Sequence, residues 1–173
     1  MAPQSYQGVA ALDPNERRTY SQTPASNLPE GIVTVEAVLH EKGHIIYTVS
    51  PDETIAAAVS ELRARGIGVM VVTEGDTLVG ILSERDVVRE LDQRGPAVLD
   101  ALVRDLMTPD PFTCAPETPL LSVLRRMTDG KFRHMPVMEN GRLLGLISIG
   151  DVVKARLRQL EYEALRMKQM IVG

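Results

Sequence analysis

GILSERD at Gly80–Asp86 and GLISIGD at Gly145–Asp151 spell one pattern, Gly-x-x-Ser-x-x-Asp, at an offset of 65 residues. The same offset pairs Thr48 with Thr113, Pro51 with Pro116, Met70 with Met135, Val72 with Val137 and Glu74 with Glu139. A unit repeated in unbroken register folds as one supersecondary block that packs against its copy, and any site the block builds can occur twice.

Outward from the motif, each copy reads as strand, helix, strand, strand, helix. In the first, Ile45–Val49 is a short strand closed by Ser50-Pro51. Ile55, Ala58, Val59 and Leu62 follow at i, i+3, i+4 and i+7, the apolar stripe of a helix, and Gly66 is placed to end it. Val69–Thr73 and Leu78–Leu82 flank Glu74-Gly75-Asp76, which reads as a hairpin. A helix with Val87, Val88 and Leu91 on one face starts after Ser83.

The second copy has a strand at Phe112–Cys114, a helix on Leu120, Val123, Leu124 and Met127, and a hairpin turning at Asn140-Gly141. Gly95-Pro96 breaks the chain between copies, and Ala101–Met107 reads as a short linking helix. The expected fold class is α/β (α+β): two β-α-β-β-α repeats. Residues 1–30, with four prolines and no apolar period, read as a flexible N-terminal extension. Residues 31–98 then hold the first repeat, opening on an apolar element at Val33–Leu39. Residues 99–173 hold the linking helix, the second repeat and a long last helix running to about Met170.

That last helix carries Val153, Leu157, Leu160, Ala164, Met167 and Ile171 at alternating steps of four and three. Such a stripe suits packing on the chain's own Val33–Leu39 element, a subunit contact, or both.

Composition bounds the function. Aromatics are 3% of 173 residues with no Trp, so the core is aliphatic. A net charge of −4 argues against a chain-wide nucleic-acid footprint. The single cysteine, Cys114, excludes an intramolecular disulfide and fits a reducing compartment. No apolar run approaches a membrane span and no signal segment is evident, so the expectation is a soluble cytoplasmic protein without membrane or nucleic-acid partners.

The Ser-x-x-Asp core of the motif is by itself a helix-capping signature: Ser caps a first-turn N–H, and Asp at the third position favours the positive end of the helix dipole. Gly80 and Gly145 add a second reading. Inside a strand, Gly marks a place where something approaches the backbone closely. An ionised Asp at a helix head can also accept from both hydroxyls of a ribose diol, and the helix N-terminus suits an anion.

These motifs, with the Ser50-Pro51 and Ala115-Pro116 junctions and the FRHMPV segment at Phe132–Val137, resemble a tandem pair of CBS domains, or Bateman module. SERDVVR, RHMPV and SIGDVVK stand in the order found in small stand-alone bacterial CBS pairs, and the likeness covers roughly residues 33–154. The resemblance implies pseudo-twofold symmetry, two clefts between the repeats, and adenosine ligands such as AMP, ADP, ATP, NAD(H) or S-adenosylmethionine. It implies that Asp86 and Asp151 hold ribose hydroxyls, with Ser83 and Ser148 beside them. Ser50 lies near base and ribose; Ala115, its counterpart, lacks a hydroxyl. Arg133 and His134 match positions that reach phosphate, with Lys42 and Arg85 as further candidates. Opposite Arg133 and His134 the first copy has Gly68 and Val69, so the two clefts are expected to be unequal. The resemblance also implies a homodimer that signals to an effector protein, with no catalytic cofactor.

His40-Glu41-Lys42-Gly43-His44 spells the HExxH of zinc proteases, but that chemistry needs one continuous helix, and Gly43 interrupts it. Cys114 has no histidine base near it in sequence and reads as a small buried hydrophobe. No nucleophile paired with a base is visible and no metal ligand set survives. The leading reading is a non-enzymatic nucleotide-binding regulatory module. The alternatives are a structural dimerisation module that binds no ligand, and a small nucleotide-using enzyme.

Overall fold

A computed structural model describes residues 32–172; the extension expected at residues 1–30 lies outside them. The described residues divide into two compact units, one of residues 45–112 with 140–143, the other of 32–44, 113–139 and 144–172.

The first unit contains β1 (Thr48–Val49), α2 (Ile55–Arg65), β2 (Val69–Glu74), β3 (Thr77–Ser83), α3 (Glu84–Arg94), a 3-10 turn (Gly95–Asp100), α4 (Val103–Leu106) and β4 (Thr108–Pro109). Its sheet runs β1-β2-β3-β4, with β1 parallel to β2 and the other pairs antiparallel. Thr54 caps α2, its side chain accepting from the Ala57 amide at 3.2 Å, a contact worth about 1 kcal/mol. Gly66 ends α2 in the left-handed conformation at φ 63°. Val49, Ile55, Leu62, Met70, Val72, Leu82 and Val103 fill its aliphatic core.

The second unit contains α1 (Val35–Lys42), α5 (Leu120–Gly130), β5 (His134–Glu139), β6 (Arg142–Ser148) from Leu144 onward, and α6 (Ile149–Val172). Asn140 and Gly141, both at positive φ (49° and 77°), make the two-residue turn between β5 and β6. Val35, Leu39, Leu120, Met127, Met135, Val137 and Ile147 form its core. Helix α6 packs against α5 and α1, and Arg158 bonds Glu41.

The opening helix α1 does for the second unit what α4 does for the first. Val35 N donates to Thr118 O at 3.0 Å and Glu36 N to Pro116 O at 2.8 Å. In the first unit Val103 N donates to Glu53 O and Arg104 N to Pro51 O, at the same places in the repeat. The glycines of the motif are accounted for by α1 and by the residues that follow α4. A Cβ on Gly145 would stand 2.7 Å from a Leu39 methyl, and one on Gly80 would stand 2.5 Å from Met107 Sδ and 3.1 Å from Thr108 O. What approaches the glycine backbone is this chain's own packing, so the in-strand glycines do not point to a ligand.

Three local expectations change. The strand expected from Ile45 shortens to Thr48–Val49, because Ile45 is 72% exposed and reaches no neighbour strand. Phe112–Cys114 contributes only an isolated parallel bridge, Cys114 to Val137. The linking helix narrows to Val103–Leu106, and the residues after it supply the edge strand β4, which sequence reading missed.

Candidate nucleotide site

Each motif sits at a strand-to-helix junction. In the second unit β6 ends at Ser148 and α6 begins at once. Asp151 Oδ2 accepts from the Ser148 amide and hydroxyl, both at 2.8 Å, while Asp151 N donates to Ser148 Oγ at 3.2 Å. This is a reciprocal cap that satisfies first-turn donors. A third donor, Lys42 Nζ from the end of α1, reaches the same Oδ2 at 2.6 Å. Among the described residues nothing donates to Asp151 Oδ1.

Burial opposes ionisation of Asp151, but the Lys42 ammonium and the two Ser148 donors outweigh it, and its carboxyl is held below the usual range. His134 opens β5 beside this group. Burial lowers its pKa first, the cations Lys42 and Arg133 add to the effect, and Asp151 only partly counters it. It is therefore a neutral imidazole near pH 7, a donor and acceptor rather than a charge. The Arg133 carbonyl accepts from Ile149 N at 2.8 Å, which ties that residue to the helix head; its side chain is exposed.

The first unit repeats the frame with different chemistry. Ser83 N and Oγ reach Asp86 Oδ2 at 2.9 and 2.5 Å. Asp86 is more enclosed, at 8% exposure, and its Oδ1 is taken by Arg89 at 3.1 Å. Gly68 stands where Arg133 stands in the second unit, since its carbonyl accepts from Glu84 N at 3.0 Å. The Glu84 carboxylate lies over Gly68, 3.2 Å from where a Cβ would sit. The first unit thus has an acid over Gly68, where the second unit carries Arg133 in the sequence.

The structure therefore brings Asp151, Ser148, Lys42, His134 and Arg133 together, and separately Asp86 with Ser83. Ser50 is exposed, its hydroxyl accepting from Asp52 N at 3.3 Å in a local turn. Arg85 is exposed on the first turn of α3. Lys42 sits on the carboxylate rather than apart from it. Sequence reading missed Arg89, although its i+3 spacing from Asp86 on a helix was the available signal. Of the HExxH pattern, His40 lies in the last turn of α1, the helix ends at Gly43, and His44 Nδ1 lies 3.1 Å from the Leu144 carbonyl. The two imidazoles do not share a helix, and no group of three potential metal ligands occurs among the described residues. No described helix is long and apolar enough to cross a membrane.

Comparison with known proteins agrees with the duplicated architecture. The family model of the CBS domain matches twice, at residues 43–93 and 103–158. A CBS domain-containing protein of Arabidopsis thaliana, CBSX3, mitochondrial, is 32% identical over 167 residues, covering 90% of this chain and 81% of its own. The crystal structure of a CBS-domain protein from Agrobacterium tumefaciens is 43% identical, with a TM-score of 0.70 over 72% of this chain and 99% of the other. The structure of CBSX2 in complex with AMP is 28% identical, with a TM-score of 0.59 over 72% of this chain and 96% of the other. The chain belongs to the CBS-domain family, as a tandem pair of CBS domains.

Proposed function

We propose that the chain is a non-enzymatic regulatory module that binds an adenine nucleotide, with its principal site at the head of α6. The observation that carries this reading is the division of labour on Asp151. Three donors occupy Oδ2, which fixes the carboxylate, while Oδ1 is left to accept from an outside hydroxyl. A sugar diol supplies such hydroxyls. The cations of Lys42 and Arg133 nearby suit phosphate, where charge-assisted bonds are about twice as strong as neutral ones. Ser148 and the His134 imidazole add neutral hydrogen-bonding groups. That CBSX2 was solved with AMP makes AMP the first candidate, with ADP, ATP and NAD(H) sharing the same adenosine half.

Asp86 with Ser83 forms a weaker second site, because Arg89 already covers Oδ1 and Glu84 opposes phosphate. Ser50 and Arg85 are its accessory residues. A ligand phosphate draws on the Lys42 ammonium and so loosens its tie to Asp151, which joins α1 to α6. The ligand biases conformation to the extent that it binds one arrangement better than the other. The signal passes to an effector protein, and the module works as a homodimer. A reducing compartment, the cytoplasm, suits the buried free thiol of Cys114.

A second reading has its own observation. The caps are complete in both units and the glycines are explained by packing, so the motif could serve architecture alone, in a dimerisation module without ligand. Calorimetric titration with AMP, ATP, NAD, NADH and S-adenosylmethionine separates the two. At least one ligand binds; Asp151→Ala loses most of that affinity and Asp86→Ala little. Absence of binding by every ligand leaves the architectural reading, and turnover of any of them would favour an enzyme.

A further inference from the structure

Helix α6 has two working faces. Val152 is buried, and Ala155, Arg156, Gln159 and Glu163 are half-buried, so this face turns toward the chain's own α1 and α5. The neighbouring face carries Val153, Leu157, Leu160, Met167 and Ile171, exposed at 42, 56, 44, 57 and 84% respectively, with Ala164 among them. An apolar stripe of 19 residues, roughly 28 Å of helix, is left facing water.

Its spacing assigns the heptad. Leu157, Ala164 and Ile171 take the a positions and Val153, Leu160 and Met167 the d positions. The flanking e positions are then Lys154, Glu161 and Lys168, and the g positions Arg156, Glu163 and Met170. In a parallel pair each g residue meets the e residue five positions on in the other helix. Arg156 then faces Glu161 of a second copy, and Glu163 faces Lys168. Both contacts are attractive, and twofold symmetry doubles them. A one-heptad slip of an antiparallel pair makes Lys154–Glu161 and Arg156–Glu163 contacts that attract but leaves Met167 and Ile171 unpartnered. In the antiparallel pair that overlaps the whole stripe, a against d, Glu161 meets Glu161, Glu163 meets Glu163 and Lys154 meets Lys168. These last three contacts repel.

We infer that residues 153–171 of α6 pair with the same residues of a second copy of this chain as a parallel, in-register coiled coil whose orientation is set by Arg156–Glu161 and Glu163–Lys168 contacts. This deepens the homodimer part of the proposal above and is independent of the nucleotide. The own-chain contacts of α6 are compatible with it. Lys154 is electrostatically coupled to Glu41 and Arg158 is bonded to it, and neither is needed in the parallel pair. Arg156 gives one N–H to Gln159 at 2.8 Å and retains others for a partner carboxylate.

The test uses the full chain carrying Leu157→Cys, oxidised and run on a non-reducing gel, with sedimentation of the unmodified protein beside it. Across a parallel pair position 157 faces itself, so most of the protein becomes a covalent dimer; Cys114 is buried and stays out of the reaction. Arg156→Glu and Glu161→Arg each weaken self-association several-fold, and mixing the two restores it as a heterodimer with every pair attractive. Glu161 is exposed and Arg156 half-buried, and circular dichroism confirms that each variant folds. Monomeric protein at every concentration overturns both the coiled coil and the homodimer. A dimer that cross-links only when Leu157→Cys is mixed with Met167→Cys is antiparallel and overturns the inference. A dimer that cross-links in neither case pairs elsewhere, which also overturns it but leaves the homodimer standing.

Discussion

Lys42 and Asp151, 109 residues apart in sequence, form an ion pair with Nζ 2.6 Å from Oδ2. The pair joins the end of α1 to the head of α6. Its two side chains keep 34% and 24% of their exposure. Water and salt screen such a pair, and its net contribution to stability is below about 1 kcal/mol. Its greater effect is on the site: the ammonium neutralises the carboxylate that the proposal assigns to the ribose and stands ready for phosphate. Lys42→Met is therefore expected to leave the unfolding midpoint nearly unchanged. It weakens AMP about tenfold, the size of one lost charge-assisted contact. Adenosine, which has no phosphate, binds the variant no less tightly than the parent. If calorimetry showed AMP and adenosine losing affinity together, Lys42 would not be a phosphate contact.

The same cluster makes stability depend on pH in two steps of one sign. His134 has a folded pKa below its ordinary value, so the unfolded chain takes up that proton first. Its contribution is complete above the ordinary histidine value of about 6.5 and is lost as pH falls through the lower folded value. Asp151 is also depressed, so its contribution is present above the ordinary carboxylate value of about 3.9 and disappears below the folded one. Urea midpoints of the parent protein should fall between about pH 7 and about pH 5 and drop again in stronger acid. His134→Gln should remove much of the upper step and keep the lower. An unaltered upper step in that variant would move its origin away from His134.

Gly145 is held small by Leu39. The added methyl of Gly145→Ala would overlap Leu39 Cδ2 at 2.7 Å and Cδ1 at 3.0 Å, and Leu39 is only 2% exposed, so it has little room to withdraw. Overpacking of this kind costs about 1–3 kcal/mol. In a Leu39→Ala background the same change should cost much less, because the clash is gone. Urea unfolding of the four proteins in the cycle measures the coupling. Additive losses would mean that the glycine is required for another reason.

The local grammar of the fold was legible in the sequence. The 65-residue register placed both motifs at helix heads, the apolar spacing of Ile55 to Leu62 gave α2, and Asn140-Gly141 gave the turn it occupies. Of the chain-distant relations, the sequence offered only the packing of the last helix on the apolar element at Val33–Leu39, and α6 does pack on α1, through Val152 and its neighbours rather than the apolar stripe. Nothing local said that Leu39 would meet Gly145 or that Lys42 would reach Asp151. The strand at Ile45 was overextended for a related reason: an apolar β-branched run resembles a strand whether or not a neighbour is there to pair with it. The pairing of Asp86 with Arg89 lay within one helical turn and could have been read from spacing alone.

Cys114 tests the interior of the second unit without touching the site. It is 6% exposed, and its Sγ lies 3.9 Å from the Pro136 carbonyl. Burial pushes the thiol pKa up to about 11, and Arg126 only partly counters this. The thiolate is the reactive species, and near pH 8 it would make up on the order of a thousandth of the thiol even with free access. Native protein should therefore resist iodoacetamide and colour almost no disulfide reagent, while one thiol per chain reacts in strong urea. The labelling rate should follow unfolding: Gly145→Ala, which strains the Leu39 contact in the same core, should expose Cys114 at lower urea than the parent does. Rapid labelling of the native parent would contradict the burial on which this inert, structural role for the cysteine rests.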